Sequence, residues 1–170
     1  MFSKLFALYA ALLLWYQGVS SLLKSTPYAA LLPAWNFLRH RALGLLTLCA
    51  VVLHIACFVT AVSLRKETLA VGLLWLDFRD FYHSAITLGL VAFWLSLLAV
   101  VAAVLRQRYP SVWRYIHRFM LAVIVMGLVH GYLIGTETRY GVYEIVYLSL
   151  FASFCAAMVY RWHQRRQAKQ

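Results

Sequence analysis

The sequence predicts an all-α integral membrane bundle of about five transmembrane helices, and three observations carry that expectation. Of 170 residues, 64% are apolar and 12% charged, with a mean hydropathy of +0.76. A soluble domain is about half apolar and a quarter charged, so too few charges are present to cover a water-facing surface. The same counts exclude disorder, coiled coil, collagen and a disulfide-rich secreted scaffold. Second, five apolar runs of 19 to 25 residues are spaced along the chain, each able to cross about 30 Å of hydrocarbon as a helix. Third, the charges are sorted by side. Loops on the side holding the N-terminus (side one) carry Lys4, Arg65, Lys66, Arg79 and Arg139 together with all five acids, Glu67, Asp77, Asp80, Glu137 and Glu144. Side two carries Lys24, Arg39, Arg41, Arg106, Arg108, Arg114, Arg118, Arg161, Arg165, Arg166 and Lys169, so the whole net charge of +11 falls there. The positive-inside rule makes side two cytoplasmic, with the N-terminus outside and the C-terminus inside. An odd number of crossings requires the same.

The first run, Leu5 to Leu23, follows Lys4 but has no small-x-small cleavage pattern leading into a soluble domain, so it is kept as a helix. Residues 28–38 are apolar, short and broken by Pro33, which places them in the interface with Trp35 at headgroup depth. The second run is Ala42 to Leu64, the third Phe81 to Leu105, the fourth Trp113 to Ile134 and the fifth Val142 to Tyr160. All three prolines, Pro27, Pro33 and Pro110, fall between runs, where a missing backbone donor costs least. Cys49, Cys57 and Cys155 lie inside runs without metal-motif spacing and read as small buried hydrophobes. Trp113 and Trp162 mark the inner interface and Trp75 the outer one. A +11 chain could engage nucleic acid, but no basic stripe sits on a polar fold, so no nucleic-acid partner is expected; the partner implied is the lipid bilayer.

Polar side chains are costly inside a membrane and are functional candidates there. Of six histidines, His40 and His54 belong to the second helix and its entrance, and His117 and His130 to the fourth. They stand 14 and 13 residues apart, about 21 and 20 Å along a helix. Both helices run in the same direction, so the histidines pair by level, His40 with His117 and His54 with His130. Two levels of paired imidazoles can hold two haems by bis-histidine ligation, which fills both axial positions and suits electron transfer. The phase differs between the helices. Fourteen residues leave side chains about 40° apart, whereas thirteen leave them about 140° apart on a straight helix. Either the fourth helix is kinked or wound differently, or the haems approach from different sides; Gly127 and Gly131 beside His130 permit bending or close approach. His83, after Asp80 and Tyr82, could be an alternative ligand, a haem-propionate partner or a proton-handling group near the outer site. His163 belongs to a solvated tail. Arg39, Arg41, Arg114 and Arg118 gather at the cytoplasmic ends of the histidine helices, where they anchor topology and can pair with haem propionates. Arg65, Lys66, Arg79 and Arg139 could do so outside, or attract an anionic acceptor.

Two local words are more specific. RALGLLTLCAVVLH runs from Arg41 to His54, and WRYIHRFMLAVIVMGLVH from Trp113 to His130. Together they resemble the ferric reductase-like transmembrane domain, a superfamily that includes ferric reductases, NADPH oxidases and the haem-binding subunit of the bacterial methionine sulfoxide reductase system. The resemblance covers residues 39 to 135 and extends toward 160, which makes 1–170 a single domain with its core at about 39–160. It implies iron ligation by His54, His117 and His130. His40 matches the additional inner histidine of the two-haem pattern, and Arg41 and Arg118 fall beside the ligands as cofactor-binding residues. Some bacterial relatives lack that inner histidine, so the cofactor is two haems b, or one. The chain has no Gly-rich dinucleotide motif, so FAD, FMN or a quinone would come only through a partner. The resemblance thus implies an oxidoreductase component with no catalytic side chain of its own. It would take electrons from a flavoprotein reductase or a quinol donor and pass them to ferric iron or an extracytoplasmic acceptor protein. The location it implies is a bacterial inner membrane. A single-haem, quinol-fed subunit is the alternative within the redox class. A metal-ion transporter would need intramembrane carboxylates, which the helix interiors lack, and a haem-free scaffold leaves the matched histidines unexplained.

Overall fold

The computed structural model describes residues 2–24, 26–28, 40–136 and 138–167. Among them the chain is helical and without strands. Helix α1 spans Phe2–Leu23, α2 His40–Lys66, α3 Phe81–Val104, α4 Pro110–Arg118, α5 Met120–Ile134 and α6 Gly141–Gln167. A short 3-10 turn, Leu105–Gln107, extends α3, and α4 and α5 together form one span, so five helical segments are long and apolar enough to cross a membrane. The fold expected from the apolar runs is the fold observed. Arg39, Trp35 and the interfacial segment apart from Tyr28 lie outside the described residues.

Helix ends follow local chemistry. Asp80 caps α3 by accepting the His83 backbone N–H at 2.8 Å. Pro110 opens α4, where its fixed φ suits a first helical turn. Gly141 begins α6 at φ +61°, a conformation that favours glycine. The fourth span breaks at Phe119, whose N–H bonds Ile116 O in a tighter 3-10 turn. Each residue of such a turn advances about 120° rather than 100°, which reduces the phase difference between His117 and His130. A distortion was one of the two expectations, but beside Gly127 or Gly131; it sits eleven residues upstream of His130 instead. Gly127 meets only Leu14 at ordinary contact distance, and Gly131 makes room for the Tyr147 hydroxyl.

The core joins α1, α5 and α6 through Val19, Ile124, Leu128, Tyr147 and Phe154. A Cβ on Gly18 would lie 2.7 Å from Phe154 and 2.8 Å from Ile124, so glycine is what lets these three helices approach. Polar contacts then fix register. Gln17 Nε2 donates to Thr47 Oγ1 at 2.8 Å, Trp15 Nε1 to Ser153 Oγ at 2.9 Å, and Tyr147 Oη to Leu128 O at 2.9 Å. Interhelical hydrogen bonds of this kind are worth about 0.6–2 kcal/mol in a bilayer. Helix α2 packs chiefly on α1, and α5 chiefly on α3. This arrangement leaves the two histidine helices facing each other across a cavity.

The three cysteines are unpaired. Cys49 is exposed on the outer surface of α2 rather than buried as its composition suggested, and Cys57 and Cys155 are half-buried. A surface facing hydrocarbon penalises a thiol no more than a protein core does. Trp75 and Trp162 are 74% and 54% exposed, as interface anchors would be.

Candidate functional site

A single cavity of about 1360 Å³ runs through the bundle and is lined by His40, His54, His117 and His130. It exceeds the roughly 300–1,000 Å³ of a pocket for one drug-sized ligand. At one level the His54 and His130 ring centres are 6.4 Å apart with planes at 74°. At the other, His40 and His117 are 6.0 Å apart at 89°. Taking about 2.0 Å for a metal–imidazole bond and about 1.1 Å from nitrogen to ring centre, two imidazoles flanking one metal are centred about 6.2 Å apart. Both pairs match that separation.

The His54–His130 level is fixed by backbone. His54 Nδ1 lies 2.9 Å from Ser3 O and 3.0 Å from Ser3 Oγ, at the first turn of α1. His130 Nδ1 lies 2.7 Å from Ala85 O on α3. A carbonyl only accepts, so in both rings Nδ1 carries the proton and Nε2 keeps its lone pair for a metal. Gly89, one turn after Ala85, supports the His130 ring. A Cβ there would fall 2.6 Å from two of its atoms.

The His40–His117 level is built from helix ends. His40 is the first residue of α2, and His117 stands next to last in α4, just before the break. His117 stacks on Trp113, centres 5.4 Å apart at 22°. The buried atoms His117 Nδ1 and Trp113 Nε1 have no hydrogen-bond partner among the described residues, an omission costing about 1–3 kcal/mol each unless something bound supplies one. Trp113 therefore faces the cavity instead of serving only as an interface anchor. Arg41 and Arg118 line the cavity, as do Arg114, Arg106, Arg161 and Arg165. The last three read from sequence as topological charges alone.

His83 is engaged elsewhere. Its Nδ1 pairs with Asp80 Oδ2 at 2.7 Å, and Arg79 Nη2 donates to its Nε2 at 2.9 Å, so neither nitrogen is left for a metal. Accepting the His83 backbone N–H, with the His83 ring and Arg79 adding to it, holds the Asp80 carboxyl below its ordinary range. His163 is exposed in the tail, as expected. Ser3, Ala85 and Gly89 had no sequence signal, because each acts on a residue far along the chain.

The family model of the ferric reductase-like transmembrane component matches residues 5–128. The chain belongs to that family. Its members make it a membrane electron-transfer component, associated as a family with haem and with flavin through partners. The match takes in α1 from Leu5 onward and three of the four paired histidines, and ends two residues before His130. No curated protein and no solved structure matches the chain.

Proposed function

We propose that this family member is a di-haem b-type membrane cytochrome. It carries electrons from a cytoplasmic flavin- or NAD(P)H-linked donor to an extracytoplasmic acceptor such as ferric iron or a partner protein. The observation that carries the reading is the two imidazole pairs, 6.4 and 6.0 Å between ring centres, facing one cavity. His54 and His130 would hold one haem and His40 and His117 the other. Bound there, haem would supply reversible one-electron storage at two depths. The chain's own groups do the rest. Ser3 and the Ala85 carbonyl orient the outer imidazoles, and tethers of this kind raise ligand basicity. Arg41 and Arg118 offer bidentate guanidinium groups to carboxylates at the inner mouth. Leu48, Val51, Val123 and Ile124 contribute apolar walls to the cavity. Among the described residues no three His, Cys, Asp or Glu side chains gather as an ion cage, which favours paired axial ligation over ion transport.

Side two faces the cytoplasm in this reading, because it holds eleven of the sixteen Lys and Arg and none of the acids. An acidic flavoprotein surface would be steered to it, bringing FAD or FMN with the partner. A single-haem subunit fed by quinol is the second reading, favoured by the looser hold on the His40–His117 pair. Pyridine haemochrome analysis of the purified chain decides between them. Two haems per chain are expected, falling to one in His54→Ala or in His40→Ala with the helices still inserted. One haem, unchanged by His40→Ala, selects the second reading, and no haem refutes both.

A further inference from the structure

Two buried polar side-chain atoms stand without a partner among the described residues, and both belong to one ring pair, Trp113 Nε1 and His117 Nδ1. Trp113 precedes His117 by four residues, so the two share a face of α4 and stack at 5.4 Å. An indole N–H can only donate, so its acceptor must come from whatever enters the cavity that Trp113 lines. Arg41, Arg114 and Arg118 line the same cavity, and the described residues supply no carboxylate to any of them. That surrounding selects an anionic acceptor, and a carboxylate can take a guanidinium and an N–H together.

We propose that Trp113 is a haem-holding residue of the inner site, its ring fixing the plane of His117 by stacking and its Nε1–H donating to a haem carboxylate. The proposal rests on the two-haem reading. The outer site has no counterpart to it, since both of its rings are oriented by backbone carbonyls.

The test compares the full-length chain with Trp113→Phe, which keeps a stacking ring and removes the donor, and Trp113→Leu, which removes both. Three properties are read: haem per chain, the midpoint potential of each haem by optical redox titration, and the indole N–H band by ultraviolet resonance Raman. In the unmutated protein an indole band should report a strong hydrogen bond when haem is bound. In Trp113→Phe the outer haem should remain unchanged. The inner haem should dissociate roughly ten- to a hundredfold more readily, as for loss of one hydrogen bond to a charged group. Its potential should fall, because its carboxylate charge is less neutralised. Trp113→Leu should lose the inner haem. A Phe variant with unchanged inner affinity and potential overturns the proposal, and so does loss of both haems together, which would mark Trp113 as structural. An unmutated chain with no haem that depends on His40 refutes the two-haem reading itself, so the two failures are told apart.

Discussion

The two histidine pairs have nearly equal ring separations, 6.4 and 6.0 Å, yet they are held by different means. Around His54 and His130, protein groups already occupy each Nδ1, and Gly89 gives the His130 ring its seat. Around His40 and His117 the support is one aromatic stack, and a helix begins or stops beside each ligand. Equal spacing therefore does not mean equal preorganisation. The His54–His130 pair is set by the fold alone, whereas the His40–His117 level leaves two buried polar atoms without a partner among the described residues.

The sharpest way to break this contrast is Gly89→Ala. Its Cβ would displace the His130 ring, so the outer haem should be lost and the inner kept, halving haem per chain. Gly127→Ala, with Leu14 at 3.6 Å, should change nothing and serves as the control. Loss of the inner haem instead would mean that the two levels are not independent. Gly18→Val should act on both levels equally, because it overpacks Phe154 and Ile124 in the shared core, by about 1–3 kcal/mol. Haem release on heating should then move to lower temperature by the same amount at both levels. Ser3→Ala should be milder. It removes the hydroxyl near His54 but leaves the Ser3 carbonyl as acceptor, so the outer haem should stay, with an off-rate a few-fold faster in a haem-transfer assay.

The smallest effect concerns pH. The Asp80 carboxyl is depressed in the fold, so the cap it makes on α3 is fully present above its ordinary value of 3.8 and is lost as pH falls through the lowered folded value. Hydrogen-exchange protection at the start of α3, measured relative to the intrinsic rate, should therefore fall below about pH 4 in the unmutated chain and vary less in Asp80→Asn. An acid response unchanged by that substitution would place the sensitive group elsewhere.

Much of this was legible in the sequence, for a physical reason in each case. Five spans were readable because hydrocarbon demands a continuous apolar run, and no loop of this chain imitates one. The levels of the four histidines were readable because rise per residue is nearly constant in a helix. The thirteen-residue spacing even admitted a distorted fourth span, but its place at Phe119 was not readable, since neither proline nor glycine marks it. The supports of the outer ligands were invisible for another reason. Ser3 meets His54 across 51 residues and Ala85 meets His130 across 45, and one of those partners is a bare carbonyl that any residue could supply. Trp113 was legible as an aromatic at the end of a span but its surroundings were not, because such a residue looks the same whether it meets lipid or a cavity.

The tether between Ser3 and His54 ties the setting of one imidazole to the assembly of the bundle. Helix α1 precedes α2 in the chain, and Ser3 has no His54 ring to hold until α2 stands beside it. Only then is the His54 ring turned to its working tautomer, and only after α3 and α5 have arrived does the facing imidazole stand opposite. The geometry of this histidine pair thus depends on four helices, α1, α2, α3 and α5, having been inserted and docked.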